Sequence, residues 1–342
     1  MTRAQDAQGR EPGPRWRCPD ARRVPELRGR LAAWLAERGG AFYLEMLLAG
    51  SQQIRRPGPL PDSAAQLAAD EHRRVCGELY WVSGEMTDLA RHAGRQLTHV
   101  ELHEHDLPSS TGFLVFEKPM ATVSSAGIDL EIVAVSWGTV TPPLLAREGD
   151  YEVPVGADWA QQKAAWFTFY SDPHGFVDAH TRRFARVADT EVTRLRQVGP
   201  VMPDNELIWA LGQPEDVPSD DDLTSSWGQT AIAACLLMQQ PLAAHRTERA
   251  PRPARRRLQR AGRPDGQVRL VHVRRPQRTP VQPPEGRNGR EYSVQWWVEG
   301  HWRRYHVGPG RARVERRWIS PYLAGPDDKP IKGTQRIKVW DR

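Results

Sequence analysis

The sequence predicts an α+β fold: a helical N-terminal part with a mixed or antiparallel sheet, followed by a small antiparallel β module at the C-terminus. Three features lead there. Near the N-terminus Leu27, Leu31, Trp34 and Leu35 recur at helical spacing. From His99 onward the pattern changes to short apolar runs separated by turn residues, the signature of strands. The last 52 residues hold five of the thirteen tryptophans, interleaved with arginine in alternating segments.

Residues 1–24 are polar and broken by Pro12, Pro14 and Pro19, and are expected to be disordered. Pro25–Arg38 reads as a helix stopped by Gly39-Gly40. Phe42–Leu48 is an apolar element of either type. Pro57, Pro59 and Pro61 break the chain, after which Asp62-Ser63 caps a helix running to about Val82, and a further helix covers Gly84–His92 and ends at Gly94. His99–His105, Gly112–Phe116, Ile128–Trp137, Tyr151–Val155 and Ala165–Tyr170 read as strands. Phe176–Arg194 contains a helical stretch and Leu207–Trp209 is short and apolar. Asp220-Asp221-Asp222 precedes a helix from Leu223 to Leu242 with Ile232, Cys235, Leu236 and Met238 on its apolar face. Part of residues 243–266 reads as helical after Pro253. Val268–Val273 is a strand, and Arg274–Arg287, with Pro276, Pro280, Pro283 and Pro284, reads as a linker.

Charge divides the chain. The net charge is +6, but residues 1–240 carry −10 and residues 241–342 carry +16. This division gives the expected domains: a disordered stretch 1–24, an acidic α+β domain 25–242, an Arg/Pro-rich connector with one strand 243–287, and a basic Trp-rich β module 288–342. Such asymmetry points to a polyanionic partner for the basic part. Arginine makes up 43 of the 48 basic residues, which a GC-rich coding bias also explains, so the placement of arginine says more than its number.

Several classes are not expected. The longest apolar run, Ala231–Met238, is far short of the roughly 20 residues of a membrane-spanning helix, so no membrane partner is read. The N-terminus has no apolar h-region, so no secretory signal is read. Cys18, Cys76 and Cys235 form neither a disulfide framework nor a C-x-x-C site, which suits a reducing cytoplasm.

In the C-terminal module Glu291–Val298 and His301–Val307 flank Glu299-Gly300 and read as a hairpin. A third element holds Trp318 and Ile319, and a fourth spans Arg336–Trp340. Trp296, Trp318 and Trp340 are assigned to a small core, whereas Trp297, Trp302 and Tyr305 are assigned to the surface. Exposed rings among Arg303, Arg304, Arg311, Arg313, Arg316 and Arg317 suit nucleic acid, DNA or RNA, because arginines neutralise phosphates and aromatic faces stack on unpaired bases. Arg255, Arg256 and Arg257 in the connector join the same candidate set. Docking of this module on the acidic body of the same chain is the alternative reading of the opposite charges.

Gly300-His301-Trp302-Arg303-Arg304, Trp318-Ile319-Ser320-Pro321 and Gly325-Pro326-Asp327-Asp328-Lys329-Pro330 together resemble the C-terminal segment of a group of uncharacterised proteins from actinobacteria and their mobile elements. The resemblance covers ~55 residues and implies a bacterial or mobile-element context, not a mechanism. The hairpin is also distantly similar to the small arm-binding sheet of tyrosine recombinases, although no recombinase catalytic Arg/His/Tyr pattern can be assigned.

In the body, His99-x-Glu101-x-His103-x-His105 is the sharpest constellation. On one strand face these side chains repeat about every 7 Å, a donor set for zinc or another divalent metal. The same spacing suits a polar, solvent-facing strand with Val100 and Leu102 turned inward. That reading is preferred because no distant ligand with motif spacing accompanies it, His174 and His180 being unlinked candidates. Ser109-Ser110 and Ser124-Ser125 lack a nucleophile elbow, Gly308-Pro309-Gly310 is a turn, and no phosphate-binding loop is present. With no strong catalytic motif, the leading expectation is a nucleic-acid-associated protein. The alternatives are a metal-dependent enzyme built on Glu101, His103 and His105, and a scaffold that binds an acidic protein.

Overall fold

The computed structural model describes residues 16–97, 99–125, 128–141, 143–148, 151–154, 163–175, 177, 198–216, 223–264, 266–274, 293–311 and 313–326. The chain divides into two compact units, Met1–Arg274 and Arg275–Arg342.

The first unit opens with α1 (Val24–Trp34), which passes through one turn of π-helix (Leu35–Gly39) directly into α2 (Gly40–Leu48). Gly39 and Gly40 therefore do not stop the helix; both hold right-handed φ, −58° and −61°. What requires a small residue here is packing: a Cβ on Gly39 would lie 3.1 Å from the Ala68 Cβ of α3 (Leu60–Val75). The segment before α1 is not disordered where it is described. Trp16 Nε1 donates to the Phe116 carbonyl at 3.0 Å, and Asp20 accepts from the Arg22 amide at 2.9 Å.

The remaining strands of the first unit are, in chain order, β1 (Ile54–Arg55), β2 (Glu78–Val82), β3 (His99–Glu101), β4 (Thr111–Phe116), β5 (Ala121–Ser125), β6 (Ile128–Val140), β7 (Leu145–Glu148), β8 (Tyr151–Pro154), β9 (Ala164–Ser171), β10 (Met202–Ala210), β11 (Pro214–Asp216), β12 (Ala243–Arg249) and β13 (Gln267–Val273). Three further helices are α4 (Gly84–Gly94), α5 (Leu223–Met238) and α6 (Arg252–Arg260). The helix expected from Asp62 to Val82 is thus two elements, α3 and β2. Pro61 sits in the first turn of α3, where its missing N–H costs nothing, so the helix starts ahead of Asp62. It ends at Val75, two residues before Gly77, where a Cβ would lie 2.5 Å from the Thr111 carbonyl oxygen. Beyond it Leu79, Tyr80, Trp81 and Val82 are buried as a central strand.

The main sheet has the order β10–β9–β6–β4–β2–β13–β12, with β5 also paired to β6. β2 runs parallel to both its neighbours, while the other pairs are antiparallel, so the sheet is mixed. Helices cover both faces. Leu79, Trp81, Phe113, Val115, Trp166 and Tyr170 pack with α1, α2 and α3. On the opposite face Phe169 meets Trp227 of α5 edge-on at 5.7 Å. Burial on two faces explains why β4 and β9 are apolar almost without alternation.

The same face fixes Trp137. Its ring is fully buried, its Nε1 donates to the Ser109 carbonyl at 2.9 Å, and a Cβ on Gly112 would lie 2.2 Å from the ring. Gly112→Ala is therefore expected to cost about 1–3 kcal/mol through overpacking. Thermal unfolding followed by tryptophan fluorescence checks this; an unchanged midpoint refutes it.

The boundary expected at residue 242 is not a boundary in the fold. β12 and β13 complete the main sheet, and α6 packs on α1, where a Cβ on Gly29 would lie 2.5 Å from Leu258. An arginine-rich surface conceals the apolar skeleton Ala250, Ala254, Leu258, Val268, Leu270 and Val271. The charge contrast shrinks accordingly: Met1–Arg274 carries −2 and Arg275–Arg342 carries +8.

The second unit contains β14 (Trp296–Val298), β15 (His301–Val307), β16 (Arg313–Ile319) and β17 (Tyr322–Ala324). The expected hairpin across Glu299-Gly300 does not form. β15 instead pairs with β16, and β14 with β17, both antiparallel. The β15–β16 turn uses Gly308, Gly310 and Arg311, whose φ values are 80°, 65° and 58°. Gly300 answers a different need, since a Cβ there would lie 2.5 Å from the Trp318 ring.

Residues 1–15, the linker from Arg275, the Asp220–Asp222 cap and the fourth C-terminal element at Arg336–Trp340 lie outside the described residues. So does the Phe176–Arg194 stretch apart from Val177. Among the described residues no helix is long and apolar enough to cross a membrane.

Candidate nucleic-acid interface

The register of β15 and β16 places residues of like charge opposite each other. Arg303 faces Arg317, and on the next rung Arg304 faces Arg316. Side chains alternate between faces along a strand, so each face of the hairpin carries one arginine pair. Directly opposed like charges destabilise a sheet. Arg303, Arg304 and Arg317 are exposed and Arg316 is half-buried. Part of the charge is relieved within the unit, as where Glu315 pairs with Arg317 at 3.0 Å. Arg311, in the turn, is exposed as well.

The aromatic residues are engaged within the hairpin. Trp302 and Trp318 face each other across the strands and pack edge to face at 5.3 Å, with Trp318 buried. The guanidinium carbons of Arg303 and Arg317 lie 5.1 and 5.3 Å from the centre of the Tyr305 ring. The exposed feature is thus the arginine set, with the rings behind it. Trp296, assigned to the core, is half-buried, and the adjacent Gln295 is buried instead. The side chains of Trp297 and Arg313, and residue Trp340, lie outside the described set.

In the first unit, the arginines Arg255, Arg256 and Arg257 on α6 are not equivalent. Arg255 is half-buried over Gly266, and Arg257 binds Glu26 at 2.8 Å. Arg256 is exposed.

The histidine constellation is not one strand face. β3 ends at Glu101 and pairs with β11; Val100 and Leu102 point inward as expected and are buried. The chain then turns, and Glu104–Asp106 forms a 3-10 turn whose Asp106 carboxylate accepts from the His103 amide at 2.9 Å. His103 pairs with Glu101 at 3.3 Å, and the rings of His103 and His105 stack at 5.1 Å. Among the described residues no group of three or more His, Cys, Asp or Glu is placed to hold a metal ion. His174 lines a separate open cleft of about 630 Å³, in which Arg30 and Arg38 are balanced by Glu37 and Asp172.

Sequence reasoning missed a buried polar network between α2, α3 and the sheet. Glu71 is fully buried and accepts from Arg74 Nε at 3.0 Å, Ser136 at 2.6 Å and Thr168 at 2.7 Å, and also from the Tyr170 hydroxyl. Burial alone would raise its pKa, but Arg74 and the hydroxyl donors outweigh burial and hold it below the usual range. Arg74 is also buried and lies over the Trp166 ring at 4.6 Å. Beside them Glu206 accepts from Gln52 at 2.6 Å, and burial pushes its carboxyl up to about 8. The Tyr43 hydroxyl is sealed from solvent with no hydrogen-bond partner among the described residues, and the Trp166 indole N–H lies against the Glu206 carboxyl. The signal was present in the sequence. Glu71 and Arg74 fall on the stripe of α3 that also carries Ala64, Leu67, Ala68 and Val75.

No protein-family model matches the chain, and no curated protein matches it. Among solved structures, the crystal structure of AcrVA2 aligns over 91% of this chain and 88% of its own, at 11% identity and a TM-score of 0.36. At that score the likeness carries no argument about fold or function. The class defined by the structure itself is α+β: a mixed sheet covered by helices on both faces, and a separate basic unit of antiparallel strand pairs.

Proposed function

We propose that the protein is nucleic-acid-associated, of bacterial or mobile-element type, and that its basic C-terminal unit makes the contact. The observation that supports this most is the pair of opposed arginine rungs, Arg303 with Arg317 and Arg304 with Arg316. This arrangement costs stability in the isolated protein. An anionic backbone relieves the cost, with release of condensed counterions as an added driving force. Because Trp302 and Tyr305 are occupied within the hairpin, phosphate contact accounts for the surface better than base stacking does. A cytoplasmic setting goes with this reading, and Cys18, Cys76 and Cys235 are all free.

Binding of the full chain to a short DNA or RNA duplex, followed by fluorescence anisotropy across a salt series, tests the proposal. Affinity should fall linearly with salt on logarithmic axes. Replacing Arg303, Arg304, Arg316 and Arg317 with glutamine should lower that slope by roughly three to four, at about one per phosphate-contacting arginine. The variant loses like-charge repulsion, so its folding is expected to hold. No binding by the wild type at low salt, or an unchanged slope in the variant, rejects the proposal. Selective retention of an acidic protein instead would point to a scaffold.

A further inference from the structure

We infer that Arg249, Arg252, Arg256 and Arg260 on the first unit form a second contact surface, shaped for the phosphate backbone of duplex nucleic acid. This rests on the proposed function but uses a different part of the molecule. Arg252, Arg256 and Arg260 are spaced four residues apart on α6, so they share one helix face at ~6 Å per step. All three are exposed, as is Arg249 at the end of β12. The opposite side of α6 is anchored by buried Ala254 and Leu258, which holds the arginine row outward.

Two features set this row apart from arginine that merely decorates a surface. First, among the described residues, carboxylates of the adjoining elements are committed elsewhere. Glu26 binds Arg257, Glu248 binds both Arg22 and Arg246, and Glu78 binds Arg269. α6 itself contains no acidic residue. Second, the row is locally unfavourable. Like charges four residues apart repel, and Arg252 stands at the helix N-terminus, where the backbone dipole disfavours a cation. The arginine row is ~12 Å long, with one guanidinium per step of ~6 Å to meet successive phosphates of one strand. α6 carries no aromatic residue, so the strip offers no ring for an unpaired base, which favours a duplex over a single strand.

The test compares three full-length proteins on the same DNA duplex: wild type, the hairpin variant above, and Arg252→Gln/Arg256→Gln/Arg260→Gln. The helix variant should lower the salt slope by about three, with at least a ~10-fold loss of affinity at moderate salt. The hairpin variant should retain residual, salt-dependent binding. Far-UV circular dichroism confirms that the helix variant is folded; if it is not, the single changes Arg256→Gln and Arg260→Gln should each lower the slope by about one. Wild-type binding by the helix variant, alongside a defective hairpin variant, overturns this inference and leaves the proposed function standing. Tighter binding to single strands than to the duplex overturns it too. Failure of the wild type to bind at all removes both.

Discussion

Glu71→Ala should cost the first unit about 3–5 kcal/mol, enough to threaten folding. The reason is not the loss of an attractive contact. Arg74 is 2% exposed and Glu71 0%, so removing the carboxylate strands a guanidinium in the core, where the remaining carboxyl, Glu206, is held in its neutral form by burial up to about 8. Ser136, Thr168 and Tyr170 lose their acceptor at the same time. Any hydroxyl that finds no other acceptor is part of that cost. Glu71→Gln should do less harm, because the amide oxygen still accepts from the hydroxyls. Removing both charges with Glu71→Leu/Arg74→Met should cost less than either single change, since a buried ion pair often does no better than a well-packed apolar pair. Urea unfolding of the two single variants and the double variant forms a closed cycle. Additive costs, or a loss below ~1 kcal/mol for Glu71→Ala, would show that the network is not coupled as the geometry requires.

This network also shows where the sequence was legible and where it was not. The fold class, α4, and strands β4, β6, β8 and β9 are legible in the sequence, because short apolar runs bounded by turn residues mark the strands and a helix-length segment ending at glycine marks α4. The errors came where a residue served packing rather than local conformation. Gly39 and Gly300 read as punctuation, yet each is small because a neighbour, Ala68 or Trp318, occupies the space of a side chain. The strand Val268–Val273 and a helical stretch after Pro253 are legible, but β12, α6 and β13 together read as part of a connector because their charged outer faces outnumber a few buried Ala, Leu and Val positions. For the candidate interface, the arginines were visible in sequence, but their cross-strand pairing was not. Pairing β15 with β14 rather than β16 would never have set Arg303 against Arg317. Nor could spacing alone show that Arg257 is paired with Glu26 and Arg255 half-buried while Arg252 and Arg256 are exposed.

Glu206→Gln should change the pH dependence of stability more than stability itself near pH 5. The Glu206 carboxyl moves from an ordinary 4.5 to about 8 on burial, so the folded state holds this proton more tightly than the unfolded chain does. A carboxyl raised in this way contributes stability that is fully present below its unfolded pKa and is lost as pH rises through its folded pKa. Asp204, two residues earlier on β10, is raised to about 6 by burial and acts in the same direction. Glu71 acts in the opposite sense. Its folded pKa is depressed, so its contribution is present above the ordinary carboxylate range and lost on acidification. The first unit should therefore be most stable at mildly acidic pH and weaken between about pH 5 and pH 9, by roughly 2–4 kcal/mol from Glu206. Glutamine at position 206 retains the uncharged form at every pH and should flatten the alkaline limb, becoming more stable than wild type above pH 8. Unfolding free energies measured across this range decide the matter. Wild-type and variant curves that stay parallel would mean that Glu206 is hydrated and ionised in the folded state. The unpartnered Tyr43 hydroxyl would then face a charged carboxylate rather than a neutral acid.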